Sequence, residues 1–312
     1  MKQSIINKFQ LDQIVFFLSK EYSIFGTQKT GNKISFDEIE ANQLDIAKTN
    51  TIMSFKKALL ANPHQISEKT KKIALIGLHN CDLHALSRFI FEFKDTDLMP
   101  EQKDIFIIGS SCQPEKSCFC TLMETSKPIN YDLYVQKQGN NYEIFCGSSK
   151  GEKIFKKFKF KSVKDIKIET IEPQGDKEID LVKLKRAVGN KKENLDFWQG
   201  LANNCFGCGA CTAVCPLCFC TRQDFNNDTN GNCHQCLSWD SCFAKRFSEI
   251  QNHHDLRPVN TDRLYNWYHH KFVRSFHHSD HPLCTGCGRC IAACPAHLNI
   301  RNIINSLLEK NG

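Results

Sequence analysis

The sequence predicts an α+β protein, in which an N-terminal α/β-type domain is followed by a cysteine-rich domain of a different kind. Three observations lead to this fold class. Apolar runs of strand length alternate with helical periodicity over residues 1–150. The segment 151–196 is rich in lysine and acidic residues, which is typical of a solvated connector. Residues 197–312 contain two copies of one cysteine motif. A chain of 312 residues is long enough for two domains.

The elements of the N-terminal domain follow from hydrophobic periodicity and from turn residues. The pattern predicts, in order, a helix over Leu11–Tyr22, a buried strand over Ile73–Leu78, a helix over Cys81–Phe93, a second strand over Ile105–Cys112, and a hairpin that turns near Gln138–Asn141. In the cysteine-rich domain, the closing stretch Ile300–Leu308 has the spacing of an amphipathic helix.

The cysteine motif reads C-x-x-C-x-x-C-x-x-x-C-P in both copies. The copies are Cys205, Cys208, Cys211 and Cys215–Pro216, and then Cys284, Cys287, Cys290 and Cys294–Pro295. This run holds cubane clusters in two-cluster ferredoxins, where the fourth cysteine binds the cluster of the other copy. Three thiolates two residues apart can surround one cluster, and the fourth, at the start of a helix, can point toward the second. The motif therefore predicts two [4Fe-4S] clusters.

The predicted ligands are exchanged between the two copies. The first cluster takes Cys205, Cys208, Cys211 and Cys294, and the second takes Cys284, Cys287, Cys290 and Cys215. Residues 216–283 separate the copies, so the sequence predicts a split ferredoxin-like domain with a large insertion. Glycines beside the ligands, such as Gly207 and Gly286, suit a backbone that turns sharply near a cluster.

Ten further cysteines lie outside the two motifs. One hypothesis places a third cubane on the four in the N-terminal domain, three of which lie at or near predicted strand ends; they are Cys81, Cys112, Cys118 and Cys120. A second places it in the insertion, on Cys218, Cys220 and Cys242 with one thiol from the N-terminal domain. Buried apolar packing is the alternative for the four cysteines of the N-terminal domain. Cys233 and Cys236 could form a zinc site with Cys218 and Cys220. Cys146, on the predicted hairpin, is interpreted as structural.

Composition and missing motifs limit the possible functions. The formal net charge of +7 is modest and spread along the chain, which favours solubility or docking to an acidic partner over nucleic-acid binding. The longest apolar run near the N-terminus is five residues, so we expect no signal peptide, no membrane span and a cytoplasmic location. The chain has neither a nucleotide-binding glycine motif after a strand nor a P-loop. We expect no catalytic residues and interpret the chain as a non-catalytic electron-transfer subunit.

The sequence leaves two other function classes open. A zinc-bearing structural or nucleic-acid-binding protein would explain several C-x-x-C pairs, but it does not explain the two prolines or the strict spacing. A stand-alone redox enzyme would need a cluster with an open coordination position, whereas each motif supplies a full set of four thiolates. The histidine pairs at 253–254, 269–270 and 277–278 are interpreted as surface or core residues.

Several longer segments resemble one family. They are Thr51–Leu60, Gly77–Arg88, Ile107–Thr125 and Cys205–Pro295, together with CPLCFC, SWDSC, LRPVNTDR and HKF in the insertion. These segments resemble the beta subunit of cytoplasmic NAD(P)-linked sulfhydrogenases and the related iron–sulfur subunit of anaerobic sulfite reductase. The resemblance extends to Cys81, Cys112, Cys118, Cys120, Cys218, Cys220 and Cys242, and so favours a third cluster. It gives no counterpart for Cys146, Cys233 or Cys236.

The resemblance also implies partners. In that family the subunit lies between a flavin subunit, which exchanges electrons with NAD(P)H, and a catalytic subunit. The catalytic subunit is a nickel–iron hydrogenase in one branch and a siroheme sulfite reductase in the other, and the segment CTLMET favours the hydrogenase branch. We therefore expect an iron–sulfur subunit of a soluble complex that relays electrons between these two partners.

Overall fold

The structure is a computed structural model that describes residues 2–31, 33–59, 72–96, 100–172, 179–227, 233–277 and 280–311. The chain divides into two compact units. The first contains Met1–Lys116 and Glu124–Glu172, and the second contains Ser117–Met123 and Pro173–Gly312. The short segment 117–123 thus belongs to the second unit, although the chain on both sides of it belongs to the first.

The first unit is built around a mixed seven-stranded sheet. Its elements are β1 (Gln3–Asn7), α1 (Lys8–Leu18), β2 (Ser23–Thr30), β3 (Lys33–Glu38), α2 (Lys56–Leu59), β4 (Ile73–Leu78), α3 (Asn80–Phe93), β5 (Ile105–Ser110), β6 (Leu133–Gln138), β7 (Asn141–Cys146) and α4 (Ser149–Phe158). The strand order is β1-β7-β6-β5-β4-β2-β3. The strands from β6 to β2 pair in parallel, and the outer pairs are antiparallel.

The burial of the central strands explains why their apolar runs could be recognised in the sequence. All six residues of β4 and all six of β5 are buried, as expected for parallel strands with both faces covered. Helix α1 buries Leu11, Ile14 and Leu18 in the same core. The predicted helices at α1 and α3, the two strands and the β6–β7 hairpin are confirmed, and so is the α+β class.

The segment 151–196, for which the sequence predicted a charged connector, contains most of α4 and continues into helices of the second unit. Ser148 caps α4 by accepting hydrogen bonds from the backbone N–H groups of Lys150 and Gly151. The helix buries Ile154 and Phe155, and Lys153, Lys156 and Lys157 are exposed. A narrow apolar stripe is enough to fix such a helix on a sheet, even where the average composition is strongly charged.

The second unit is mainly helical. Its elements are α5 (Leu181–Gly189), α6 (Leu195–Asn203), α7 (Ala210–Val214), β8 (Thr221–Asn227), β9 (Cys233–Trp239), β10 (Glu249–Ile250), β11 (His254–Asp255), α8 (Asn260–Phe272), α9 (Arg289–Ala292) and α10 (Ile300–Lys310). Its core is aromatic, with Trp198, Trp267 and Tyr268 in contact. Helix α8 packs against α5 and α6, so the insertion supplies part of this core. The predicted closing helix is confirmed as α10.

In the described part of the chain, every helix is too short or too polar to cross a membrane.

Candidate iron–sulfur centre

Two cavities in the second unit are lined by the motif cysteines. The first has about 530 Å³ of space that is partly open to solvent, and its thiols come from Cys205, Cys208, Cys211, Cys290 and Cys294. The second has about 330 Å³ of such space, and its thiols come from Cys215, Cys284, Cys287 and Cys290. Each cavity therefore contains the first three cysteines of one motif and the fourth cysteine of the other. These are the two exchanged sets that the spacing predicts, with Cys290 at the border.

The backbone of the two motifs is nearly the same. Gly207 and Gly286 both have a φ of +64°, and Gly209 and Gly288 have φ values of +75° and +72°. Glycine adopts this left-handed conformation without the strain that a side chain would add. The third cysteine of each motif then lies on a short helix, α7 or α9, and these two helices pack together. The predicted sharp turns at the glycines are confirmed.

One local detail of the prediction is wrong. The fourth cysteine was expected to begin a helix, but Cys215 is the last, capping residue of α7 and Cys294 follows α9. Proline explains the difference, because Pro216 and Pro295 restrict the preceding cysteine to an extended backbone and so end the short helix. The fourth thiol is thus presented from a helix end.

Backbone N–H groups also face the thiols. Gly207 donates to Cys205 Sγ at 3.4 Å, and Leu298 donates to Cys294 Sγ at 3.3 Å. In the other motif, Gly286 donates a backbone hydrogen bond to Cys284. Peptide donors of this kind stabilise thiolate charge and are one of the factors that set cluster potentials.

Burial raises the pKa of three motif thiols. Burial raises the pKa of Cys211 and that of Cys284 to about 12 in each case. Burial also raises the pKa of Cys290 well above its ordinary value, with nearby thiols adding to the effect. A thiol must lose its proton to bind iron. The donor set fits a [4Fe-4S] cubane, in which four thiolates each hold one iron.

A lysine lies among these thiols. Lys271, on α8, is 3% exposed and donates hydrogen bonds to Cys215 Sγ at 3.2 Å and to the Leu283 carbonyl at 3.0 Å. Burial opposes its charge, but Cys215, Cys218 and Cys284 outweigh that effect and the pKa of Lys271 is raised. No motif in the sequence indicated Lys271 separately. The residue is part of the segment HKF, which contributed only to the family resemblance.

The cysteines proposed for a third cluster lie in two units. Cys81 and Cys112 follow the adjacent parallel strands β4 and β5 in the first unit, whereas Cys118 and Cys120 belong to the second. Phe119 donates its backbone N–H to the Gly286 carbonyl at 2.7 Å, so this segment lies on the second motif. Burial, and then the neighbouring Cys118, raises the pKa of Cys120 to about 11.

The insertion brings two of its own cysteines together. A hydrogen bond with Cys220, followed by burial, raises the pKa of Cys242 well above its ordinary value. Cys218 lies close enough to Lys271 to help raise the pKa of that lysine. The side chains of Cys233 and Cys236 lie outside the described residues, and with them the zinc alternative. Among the described side chains, no three of Cys, His, Asp or Glu are close enough to share one metal ion.

The other residues left open by the sequence have separate environments. Cys146 is buried in the core of the first unit and donates to the Ser148 carbonyl at 3.4 Å, in agreement with its structural interpretation. His253 is exposed and pairs with Glu249. His269 and His270 are on α8, where His270 contacts the ring of Phe219. The side chains of His277 and His278 lie outside the described residues.

Comparison with known proteins identifies the cofactor class. Residues 204–298 match the 4Fe-4S dicluster domain family. The chain is also similar to "Sulfhydrogenase 2 subunit beta" of Pyrococcus furiosus, with 26% identity over 323 aligned positions that cover 92% of each chain. No solved structure matches it. The match to the dicluster domain supports iron–sulfur clusters as the cofactor, and the predicted resemblance to sulfhydrogenase beta subunits is confirmed.

Proposed function

We propose that this protein is an electron-transfer subunit of a multi-subunit oxidoreductase and that it carries two [4Fe-4S] clusters with exchanged ligands. One observation carries the proposal: each of two neighbouring cavities in the second unit contains three thiols of one motif and the fourth thiol of the other. In this assignment Cys205, Cys208, Cys211 and Cys294 hold the first cluster, and Cys284, Cys287, Cys290 and Cys215 hold the second.

The positions of the cavities suit a relay. Cys290 and Ile300 line both cavities, so the two clusters are neighbours within one packed unit. The first cavity reaches the surface, because Cys208 is exposed and the adjacent Phe206 is 72% exposed. Cys215 and Cys287 of the second cavity are buried. An electron can therefore enter or leave near Cys208 and pass to a cluster that is shielded from water.

Metal analysis tests the cofactor. Two cubane clusters require about eight irons and eight sulfides per chain after anaerobic purification, and a third would raise both to about twelve. The preparation should be brown and should lose its colour with its iron when chelated. Zinc in place of iron would overturn the proposal, as would an iron content of about four.

A second test concerns catalysis. The isolated chain should accept electrons from dithionite, yet it should neither oxidise NADH nor reduce sulfite or protons alone. The proposed partners are a flavin subunit that reacts with NAD(P)H and a catalytic subunit, which anaerobic copurification would identify. The name of the similar sulfhydrogenase subunit favours a nickel–iron hydrogenase over a siroheme sulfite reductase as the catalytic partner. Turnover of any of these substrates by the single chain would contradict the assignment as a non-catalytic subunit.

We also propose a third cluster in the insertion. Outside the two motifs, the described thiols of the second unit are Cys118, Cys120, Cys218, Cys220 and Cys242. The contact between Cys220 and Cys242 favours the insertion as the site, with Cys218 as a third ligand. The fourth ligand is assigned to Cys118 or Cys120. The other set, which combines these two with Cys81 and Cys112, draws on both units.

Iron loss separates the two arrangements. For a site in the insertion, Cys220→Ser and Cys242→Ser should each remove about four of about twelve irons, because a cubane that lacks a ligand is labile. Cys81→Ser should then leave the iron content unchanged. The matched control is Cys146→Ser, a buried cysteine of the first core that no cluster uses. Iron loss from Cys81→Ser without loss from Cys220→Ser would favour the other set, and a wild-type content of about eight would exclude a third cluster.

A further inference from the structure

Lys271 is a buried cation whose described surroundings contain no carboxylate partner. Its side chain lies over the Trp267 ring at 5.1 Å, and among the described residues its ammonium group bonds to Cys215 Sγ and the Leu283 carbonyl. Lysine is rarely buried to this extent unless its charge is compensated. Cys215, Cys218 and Cys284 favour the charge of Lys271, and thiols carry the compensating negative charge as thiolates, the form that binds iron. The position of Lys271 therefore suits an anionic occupant, a cluster with four thiolates, in the second cavity.

The two cavities differ in charge. Lys271 lines the second cavity, while the lining of the first consists of cysteines, glycine, proline and apolar or aromatic side chains, with no charged group. Backbone N–H groups donate to thiols at both sites, from Gly207 and Leu298 in the first and from Gly286 in the second. Peptide donors therefore do not distinguish the sites, and the charge of Lys271 does.

We propose that Lys271 raises the reduction potential of the second cluster above that of the first, so that an electron entering the pair comes to rest on the second cluster. This inference rests on the proposed two-cluster function. Uptake of one electron adds one negative charge, with no bond formed or broken, and a cation at hydrogen-bond distance from a ligand sulfur stabilises the added charge. The effect is strong in a buried site and falls with distance.

A structural role is the competing explanation. The bond from Lys271 to the Leu283 carbonyl fixes α8 next to the residue that precedes Cys284. Loss of this bond could disturb the site without any effect of charge. The test must therefore measure a potential in variants that retain their iron, and it must compare substitutions that keep and remove the charge.

The experiment isolates each cluster before Lys271 is changed. Cys205→Ser leaves the second cluster and Cys284→Ser leaves the first, whichever way the fourth ligands are exchanged. In each background, Lys271→Met removes the charge and Lys271→Arg keeps it. Lys191→Met is the matched control. Lys191 also lies over an aromatic ring of α8, that of Tyr265, but its ammonium group pairs with Asp262 and not with a thiol. Anaerobic redox titration followed by paramagnetic resonance gives the potential.

For the second cluster, Lys271→Met should lower the ratio of reduced to oxidised cluster at a fixed potential at least tenfold, which is 59 mV for one electron. Lys271→Arg should restore most of the ratio, and Lys191→Met should not change it. The first cluster should shift less, because Lys271 touches none of its ligands, although its charge does reach Cys211.

Three results would overturn the proposal. They are an unchanged ratio in Lys271→Met with iron retained, an equal shift of both clusters, and a shift in Lys271→Arg as large as that in Lys271→Met. If Lys271→Met loses its iron, Lys271→Gln, which keeps a donor for the Leu283 carbonyl, replaces it, and iron loss in both variants assigns Lys271 a structural role only. A wild-type chain without two clusters would instead contradict the proposed function itself.

Discussion

Because the fourth ligands are exchanged, a change of the fourth cysteine in one motif should damage the cluster of the other motif. The order of the cysteines along the chain would suggest the opposite. Cys215 follows the first motif along the chain, but it lines the cavity of Cys284, Cys287 and Cys290. Cys294 follows the second motif and lines the cavity of the first. Replacing Cys215 by serine should therefore damage the cluster held by the second motif and leave the other intact.

The expected magnitude follows from the number of irons at each site. Each single variant, Cys215→Ser or Cys294→Ser, should lose about four irons per chain, which is one cubane. The double variant Cys215→Ser with Cys284→Ser should lose no more than Cys215→Ser alone, because both changes affect one cluster. Cys215→Ser with Cys205→Ser should lose about eight, because the two changes affect different clusters. Such non-additivity is the signature of residues that act as one unit.

Anaerobic iron analysis measures the number of irons lost per chain. Paramagnetic resonance of the reduced variants shows which cluster remains. A variant with one remaining cluster should give a simple signal without the broadening that a neighbouring reduced cluster causes. The opposite pattern would refute the exchanged arrangement: a loss of about eight irons from Cys215→Ser with Cys284→Ser, and only four from Cys215→Ser with Cys205→Ser. Cys146→Ser should keep all its iron and so exclude a general effect of cysteine replacement.

Two further predictions concern backbone packing and pH. Gly207 and Gly286 share a φ of +64°, but a Cβ on Gly286 would lie 2.5 Å from the Phe119 backbone, whereas one on Gly207 would meet only the Asn260 side chain at 3.0 Å. Gly286→Ala should therefore cost about 2 kcal/mol more than Gly207→Ala in anaerobic thermal unfolding, and equal costs would contradict the packing. Burial lowers the pKa of His270 to about 4, so the unfolded chain binds a proton that the folded chain does not as the pH falls below 6.5. Wild type should lose about 2 kcal/mol of stability from this group between pH 7.5 and pH 5, and His270→Asn should lose less; an equal loss would show that His270 is not buried in neutral form.

Much of the first unit could be predicted from local patterns. Strands β4 and β5 are continuous apolar runs because both faces are covered, and α1 and α10 repeat their buried residues at helical spacing. The strands at the start of the chain were not predicted, since β2 alternates poorly and contains Gly26. Helix α4 was hidden by its lysines, because composition averages over the narrow stripe that packs on the sheet.

The placement of Cys118 and Cys120 shows the limit of reading along the chain. They follow β5 in sequence, and the pattern therefore assigned them to the N-terminal domain. In the structure their segment belongs to the second unit, where Phe119 bonds to the Gly286 carbonyl. No local pattern encodes a backbone hydrogen bond between residues so far apart, because the amide groups of all residues are alike.

The sequence by itself determined the chemistry of this protein. Cluster ligation depends on thiols at short fixed spacings, and the two motifs therefore specify the cofactor class and the eight cysteines that are proposed to bind it. Only the tertiary structure decided what surrounds those thiols. Lys271 stands between two histidine-rich segments that give no sign of a role, yet the folding of α8 places its charge beside Cys215. Ligand identity is a local property of the chain, whereas charge and solvent exclusion around a cluster arise from contacts between distant residues.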